Sequence, residues 1–494
     1  MRSSYIVRWR LRYIMPDNMC FYLLPYIQPP VLHHAVVRVG NPDPMHPKSA
    51  EQPLHLKTIL LLARRCGVVA ALVGWYAACY AGRRLVHRFR RSPGKAALRG
   101  ELLAGLFEAL GPTFIKIGQI LSTRPDLLPF ETIAALARLQ DRVAPVPINQ
   151  ITAVFQDSFG GLPEECFAVF NPVPLSSASV AQVHRARLRD GTEVAVKIRR
   201  PNVVATVQGD LLLLRGLARV LQRFPGLRLV PFEGLVEEFG QAIEQQLDFR
   251  IEAANNRKFR VNFRVMPQVR FPHLVDDLCS EAVLTMEYVE GLTKVADLML
   301  DVAARREAAT IGLKALYKMI FIDGFIHGDM HPANMFFVPG PGVILLDVGL
   351  VARLEQQDLE DFVTFFLGLA ENNGAACARI IWNGASYRSP GSDRTAFEEA
   401  MEALIDRHAA LKAEDFEVVH FAADLFDTQR RHGVRGPTQF TMTIVALLVY
   451  EGIVKHMHPT LDFQKEARLF ILRARHRANE RRAQESRTMP PVSL

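Results

Sequence analysis

The sequence predicts an α+β fold of two lobes with helices ahead of them, and three observations predict it. Apolar residues recur at helical spacing between residues 95 and 140, the period falls to two between 167 and 200, and helical patterning returns after Pro231. A chain of 494 residues is long enough for two or three packed units, and its 49% apolar content supports a globular core rather than disorder. Lys and Arg number 59 against 51 Asp and Glu, a formal net charge of +8. Such a balance suits an anionic membrane surface, a nucleic acid or a phosphorylated ligand, and charge alone does not choose among them. The cysteines (Cys20, Cys66, Cys79, Cys166, Cys279 and Cys377) form no C-x-x-C pair, so neither a structural zinc site nor a disulfide framework is expected. They read as buried thiols in a reducing compartment.

Residues 1–56 read as an irregular extension. The opening residues lack the order of a signal peptide, the prolines in MCFYLLPYIQPPVL oppose a spanning helix, and Met45 offers an alternative start. Residues 57–92 contain the uncharged 17-residue stretch CGVVAALVGWYAACYAG at 66–82, short of the roughly 20 residues that cross a hydrocarbon core. Arg64 and Arg65 precede it and Arg83, Arg84, Arg88, Arg90 and Arg91 follow, so a spanning helix would leave the rest of the chain cytoplasmic. A helix packed on the folded body or lying along the bilayer surface is the alternative.

From 93 to 160 a helical extension is expected: Leu98, Leu102, Leu106 and Leu110 mark one helix, Gly111-Pro112 ends it, and a second carries TFIKIGQILSTRPDLLP. The first lobe is placed at 161–291. There VAQVHRARLRDGTEVAVKIRR reads as a hairpin turning at Asp190-Gly191, a long helix follows Pro231, and EAVLTMEYVEG at 281–291 reads as a strand entering a Gly-ended connection. The second lobe, 292–470, is mostly helical; its apolar run from Phe440 to Val454 contains Glu451 and reads as a core helix rather than a membrane span. The tail from 471 to 494 is rich in arginine without an apolar stripe, and solvated or membrane-surface disorder is expected.

HGDMHPAN at 327–334 carries the chemical question. Phosphoryl transfer needs a cation on the phosphates, a metal held by carboxylate and amide oxygens, and a carboxylate oriented toward the acceptor. Strand alternation in VAVK sets Lys197 on the face opposite Val194, Val196 and Ile198, and Glu252 on the following helix is its natural counter-ion. Asp329 and Asn334 stand at the spacing a kinase catalytic loop uses between its base and its metal-binding amide. The apolar run of VILLD delivers Asp347 to a strand end, where a carboxylate can grip magnesium, and Gly349 allows a sharp turn after it. Either motif alone is a weak signal; their order and combination with VAVK are not. His327 and His331 read as structural, because magnesium prefers oxygen.

With these residues in place, the chain resembles the UbiB/AarF/ADCK group of atypical protein-kinase-like proteins over roughly residues 85–470. LGPTFIKIGQILSTRPDLLP looks like the family's K-x-G-Q signature at Lys116, Gly118 and Gln119, and PLSSASVAQVH resembles its alanine-rich loop at Ala178 and Ser179. QLDFRIEAANN resembles the E-x-D segment followed by the helix glutamate, except that Gln246 stands where the family has Glu. Gln246 cannot make a full ion pair, so Lys116 is expected to pair with Asp248 and Lys197 with Glu252; Gln246 and Asp248, about 200° apart on a regular helix, share no face unless the helix breaks there, whereas Asp248 and Glu252, four apart, do.

The resemblance implies a bilobal protein-kinase-like fold with an N-terminal helical extension over the active site. It implies ATP or ADP and Mg2+ as cofactors, with Lys197 on the α and β phosphates, Asn334 and Asp347 on the metal, Asp329 at the acceptor or water, and adenine against the Glu287–Val289 backbone. A lid across the cleft fits a lipid-related ATPase better than general protein phosphorylation. The implied partners are a membrane lipid or isoprenoid quinone precursor and quinone-biosynthesis enzymes, with no nucleic acid, at a bacterial inner membrane with the catalytic domain facing the cytoplasm. A small-molecule kinase of the aminoglycoside or choline type would also use an HGDLHPGN-like loop, and a non-enzymatic pseudokinase scaffold is the other alternative.

Overall fold

Alternation within two short runs builds the first lobe. The computed structural model describes residues 56–87, 95–125, 127–139, 143–223, 232–294, 301–330, 334–337, 342–411 and 416–488. The start at Met45, the extension before Leu56, His331 and the last six residues therefore lie outside the described residues. Strands β1 (Val169–Ser177), β2 (Ala181–Arg187) and β3 (Glu193–Arg199) pair antiparallel. The β2–β3 turn sits where Asp190-Gly191 predicts it, with Gly191 at φ 92°. Val194, Val196 and Ile198 are fully buried. They pack with Ile151 and Phe155 of α5 (Ile148–Phe159), each such side chain contributing ~1.5–3 kcal/mol relative to exposure.

Ahead of that sheet stand α1 (Leu56–His87), α2 (Lys95–Leu110), α3 (Pro112–Ser122) and α4 (Phe130–Leu136). Gly111 at φ 97° separates α2 from α3, and Pro112 opens α3, where its missing N–H costs nothing. Phe114, Ile117 and Ile120 of α3 bury their side chains against α7 (Val203–Leu221) and α8 (Phe232–Leu247), a cluster separate from that of the sheet. A short α6 (Pro163–Cys166) leads into β1.

The expected long helix after Pro231 is two helices. Asp248 adopts extended geometry (φ −100°, ψ 100°) and accepts the Arg250 N–H at 3.0 Å, capping α9 (Phe249–Asn262) as α8 ends at Leu247. Such a cap supplies ~1 kcal/mol, and it breaks the phase that a continuous helix would impose on Gln246 and Asp248. Strand β4 (Val269–Arg270) follows, then β5 (Val283–Glu287), which closes the first sheet in the order β1-β2-β3-β5.

The second lobe contains β6 (Thr293–Lys294), α10 (Val302–Tyr317), β7 (Phe325–His327), β8 (Met335–Phe337), β9 (Val343–Leu345) and β10 (Val351–Arg353). β7 pairs with β10, and β8 lies between β6 and β9 in a sheet that β4 completes. One π turn, Lys318–Asp323, delivers the chain from α10 into β7. Behind lie α11 (Gln356–Ala370), α12 (Gly374–Asn383), α13 (Arg394–Ala409), α14 (Val418–Arg431), α15 (Thr438–Met457) and α16 (Phe463–Thr488); β11 (Tyr387–Arg388) and β12 (Val434–Arg435) form a two-stranded sheet among them.

α15 is the predicted core helix, and among the described residues it is the one helix apolar and long enough to cross a membrane, with 67% of its apolar window buried. Its Glu451 is buried and accepts the N–H groups of Val418 and Val419 at 2.9 Å, capping α14. The tail corrects an expectation. α16 continues without a break from Phe463 to Thr488, because Phe463, Ala467, Phe470 and Ile471 pack on the second-lobe core and Ala474 is buried there. An apolar stripe ahead of the arginines thus carries the helix through them.

Candidate functional site

A cleft of about 1650 Å³ lies between the lobes and under the N-terminal helices. Lys116, Ala178, Lys197, Glu252, Val289, Asp329, Asn334 and Asp347 all line it. β3 presents Lys197 from the face opposite the buried Val196 and Ile198, and its ammonium donates to both Glu252 oxygens at 3.0 and 2.8 Å. Asp347 Oδ1 stands 3.6 Å from the same nitrogen. Both members of the Lys197–Glu252 pair are nearly buried, at 15% and 7% exposure, whereas the Asp347 carboxylate is 56% exposed to the cleft.

The charges follow from this packing. Burial disfavours the Lys197 ammonium, but the Asp347 and Glu252 carboxylates outweigh it and its pKa rises above the usual lysine value. Lys197 in turn holds the Asp347 carboxyl down to about 2, so it is ionised across the physiological range. Burial pushes Glu252 upward against the pull of Lys197.

The catalytic-loop candidates line the same cleft, and the Asn334 carbonyl takes the N–H of Leu346 beside Asp347. Asn334 Nδ2 donates to Asp329 Oδ2 at 2.8 Å and to the Asp329 carbonyl at 3.1 Å, so the loop closes on itself across five residues. His327 is fully buried, and burial holds it below the usual 6.5. The neutral ring accepts the Asp329 N–H at Nδ1 (3.1 Å) and turns Nε2 toward the Leu346 carbonyl (3.4 Å). Both ring nitrogens are thus turned to the backbone of the loops that carry Asp329 and Asp347. Asp347 adopts φ 52°, a left-handed conformation that aspartate enters more readily than other non-glycine residues because its side chain can bond locally, here to the Gly349 N–H.

Three expectations are corrected. Asp248 is not free for Lys116: its carboxylate takes the Arg250 guanidinium at 2.7 to 3.1 Å as well as the cap bond, and Arg250 is the main cause holding its pKa below the usual 3.8. Lys116 instead projects into the cleft, where its charge favours the ionised forms of both Asp347 and Glu252. Glu287 is not a cleft residue. Its side chain bonds Arg270 at 2.8 Å and the His273 N–H at 3.2 Å, and its own N–H goes to the His273 carbonyl, leaving Tyr288 and Val289 to line the cavity. Ser179 is buried beneath the loop whose Ala178 faces the cleft.

Sequence reasoning missed Arg200. Its guanidinium holds the alanine-rich loop by donating to the Ala178 carbonyl, the Ala144 carbonyl and Ser177 Oγ, each at 2.7 Å. The signal was an arginine immediately after a cleft-facing strand, which is too common to single out. Also missed was the clasp that holds the extension down. Glu238 Oε1 accepts both from the buried Arg124 guanidinium and from Thr438 Oγ1 (3.1 Å) on α15. Arg430 of α14 donates to the Pro125 and Leu128 carbonyls at 3.3 and 3.2 Å.

Among the described residues no cluster of three or more His, Cys, Asp or Glu could hold a metal by itself. The donors present, the open Asp347 carboxylate and the Asn334 amide oxygen, fit magnesium, which takes one or two protein oxygens and completes its shell with phosphate and water.

Comparison with known proteins gives the chain's relatives. Residues 138–381 match the ABC1 atypical kinase-like domain and residues 401–462 the UbiB helical domain. The chain is 34% identical over 383 residues to the Probable protein kinase UbiB of Marinobacter nauticus, covering 76% of this chain and 69% of that one. A solved structure of Rv3197 from Mycobacterium tuberculosis with erythromycin is similar at 23% identity and a TM-score of 0.47, over 69% of this chain and 91% of that one.

Proposed function

The chain belongs to the UbiB group of ABC1 atypical kinase-like proteins, and from that premise we propose that it is an atypical kinase or ATPase that binds ATP or ADP with Mg2+ and supports isoprenoid quinone (ubiquinone) synthesis or lipid homeostasis at a membrane. The observation that carries this reading is the Lys197 ammonium held between Glu252 and Asp347 in the same cleft that the Asp329–Asn334 pair lines. Lys197 then meets the α and β phosphates, prepositioned by Glu252 so that no side-chain ordering is needed on binding. Asp347 and the Asn334 amide oxygen are the metal ligands, and Asn334 Nδ2 holds Asp329 oriented toward an acceptor hydroxyl or water. When bound, magnesium would neutralise charge between phosphate oxygens. The alanine-rich loop at Ala178 and Ser179, pinned by Arg200, covers the phosphates, and Tyr288 and Val289 face adenine.

The extension clasped by Glu238 and Arg430 occupies the side of the cleft from which a folded protein substrate would approach, which favours a small or lipidic acceptor. For membrane attachment the reading relies on α1. It carries no charge between residues 66 and 82 and turns Val73 and Trp75 outward, while Arg65 fixes its base to Asp210 at 2.7 Å. The catalytic lobes would face the cytoplasm at a bacterial inner membrane.

Quinone content of cells lacking the gene, complemented with the wild-type chain or with Asp347→Asn, tests the function. Loss of quinone restored by the wild type alone is the expected result. Restoration by both would leave a nucleotide-independent scaffold, and unchanged quinone would reject the lipid role.

A further inference from the structure

We infer that Asn255 is a positioning residue that sets Asp347 in its metal-binding conformation and couples it to Glu252; this rests on the nucleotide and metal reading of the cleft. Asp347 lies at φ 52°, where its own carboxylate takes the Gly349 N–H, and three contacts made by the residues on either side fix the backbone that flanks it. On the N-terminal side, Leu346 donates its N–H to the Asn334 carbonyl at 2.9 Å and faces His327 Nε2 with its own carbonyl. On the C-terminal side, the Val348 carbonyl receives Asn255 Nδ2 at 3.0 Å. That bond reaches across 93 residues of sequence and is buried.

Asn255 is 2% exposed and lies on α9 three residues beyond Glu252, on the same helical face. Its Oδ1 accepts from Arg353 Nη2 at 3.1 Å, and the Arg353 guanidinium lies 5.3 Å from the centre of the Phe325 ring. One amide therefore spans the helix that carries the Lys197 partner, the segment that carries Asp347, and the strand that follows it. A shift of α9 moves Glu252 and the Val348 carbonyl together, so the two carboxylates keep their separation about Lys197.

The bland alternative is that Asn255 merely satisfies a buried arginine. The two ends of the amide separate these roles. Asn255→Asp keeps an acceptor for Arg353 and loses the donor to Val348; Arg353→Gln does the reverse. Asn255→Ala removes both without placing two acceptors face to face, should the aspartate variant fold poorly. Titration of the purified full chain with ADP, with and without Mg2+, is read alongside hydrogen exchange of residues 343–353 in the ligand-free protein. The expected result is an Mg2+-dependent ADP affinity about ten- to hundredfold weaker in the Asn255 variants, metal-free affinity within about twofold, and Arg353→Gln close to wild type. Exchange at residues 346–349 rises in the Asn255 variants alone. Equal losses in both metal conditions, or the same losses from Arg353→Gln, overturn the inference. So does unchanged exchange, a result that stands even if the wild type binds no nucleotide and the proposed function itself fails.

Discussion

The two walls of the cleft are made by opposite means. The wall formed by β3, α9 and the turn at Asp347 is a set of charges held by one another, with Lys197 between two carboxylates and 5.2 Å from the centre of the Phe249 ring. The wall formed by α2 and α3 packed on α7 and α8 is an apolar cluster that presents Lys116 to the cleft and is fastened to the second lobe by the Arg124–Glu238–Thr438 and Arg430 contacts. Charge held by charge is conformationally exact but costly to disturb. An apolar wall tied by a few polar contacts is easier to loosen as a unit.

The largest effect is expected where the charged wall is broken on one side only. Lys197→Met leaves Glu252 buried beside Asp347 and should cost ~3–5 kcal/mol in chemical denaturation. Adding Glu252→Gln should return most of that stability without returning nucleotide affinity, since the buried charge is gone but the phosphate cation is too. If the double variant is no more stable than the single one, the pair is not the electrostatic unit described above.

Loosening the other wall should cost less. Glu238→Ala removes the carboxylate that Arg124 and Thr438 share, a loss of ~1.5–3 kcal/mol. It should appear as faster hydrogen exchange across α3 with the β1-β2-β3 sheet unchanged; equal acceleration in both would mean that the walls do not move independently. Gly118→Ala sharpens the same contrast, because a Cβ there would stand 2.3 Å from Leu139 Cδ1 and 2.8 Å from Phe107 Cδ2. Overpacking of ~1–3 kcal/mol is expected in a thermal melt. A neutral result would show a more yielding interface between α2 and α3.

The smallest effect is expected at Asp248. Asp248→Asn keeps the cap acceptor and loses only the half-exposed pairing with Arg250, worth less than ~1 kcal/mol. Because Arg250 holds this carboxyl below 3.8, the contribution is complete above that pH and is lost as pH falls through the lower folded-state value. A large loss at pH 7 would return Asp248 to the functional list.

How much was legible follows from distance along the chain. The Asp329–Asn334 spacing is legible because five residues separate the two, though not the bond between them, and the β2–β3 hairpin is legible because Asp190-Gly191 supplies its own turn. The face of β3 that carries Lys197 was readable from alternation alone. The break at Asp248 was misread because an aspartate inside a helical pattern is either an interior residue or a cap, and only the turn of the backbone decides which. The helix through the arginine tail is not legible because most of its apolar stripe, Phe463, Ala467 and Phe470, precedes residue 471 and only Ile471 and Ala474 fall among the arginines.

The sequence by itself determined which charged groups the protein has and the order in which the strands and helices deliver them, since period and turn chemistry act over a few residues. The tertiary structure decided their partners. Beyond the Lys197–Glu252 pair that the sequence itself points to, Asn255 meets Val348 across 93 residues and Glu238 meets Thr438 across 200. Hydrogen bonds and ion pairs act over a few ångströms, so which of several carboxylates a lysine finds is fixed only when packing of the apolar clusters has brought distant segments to that range.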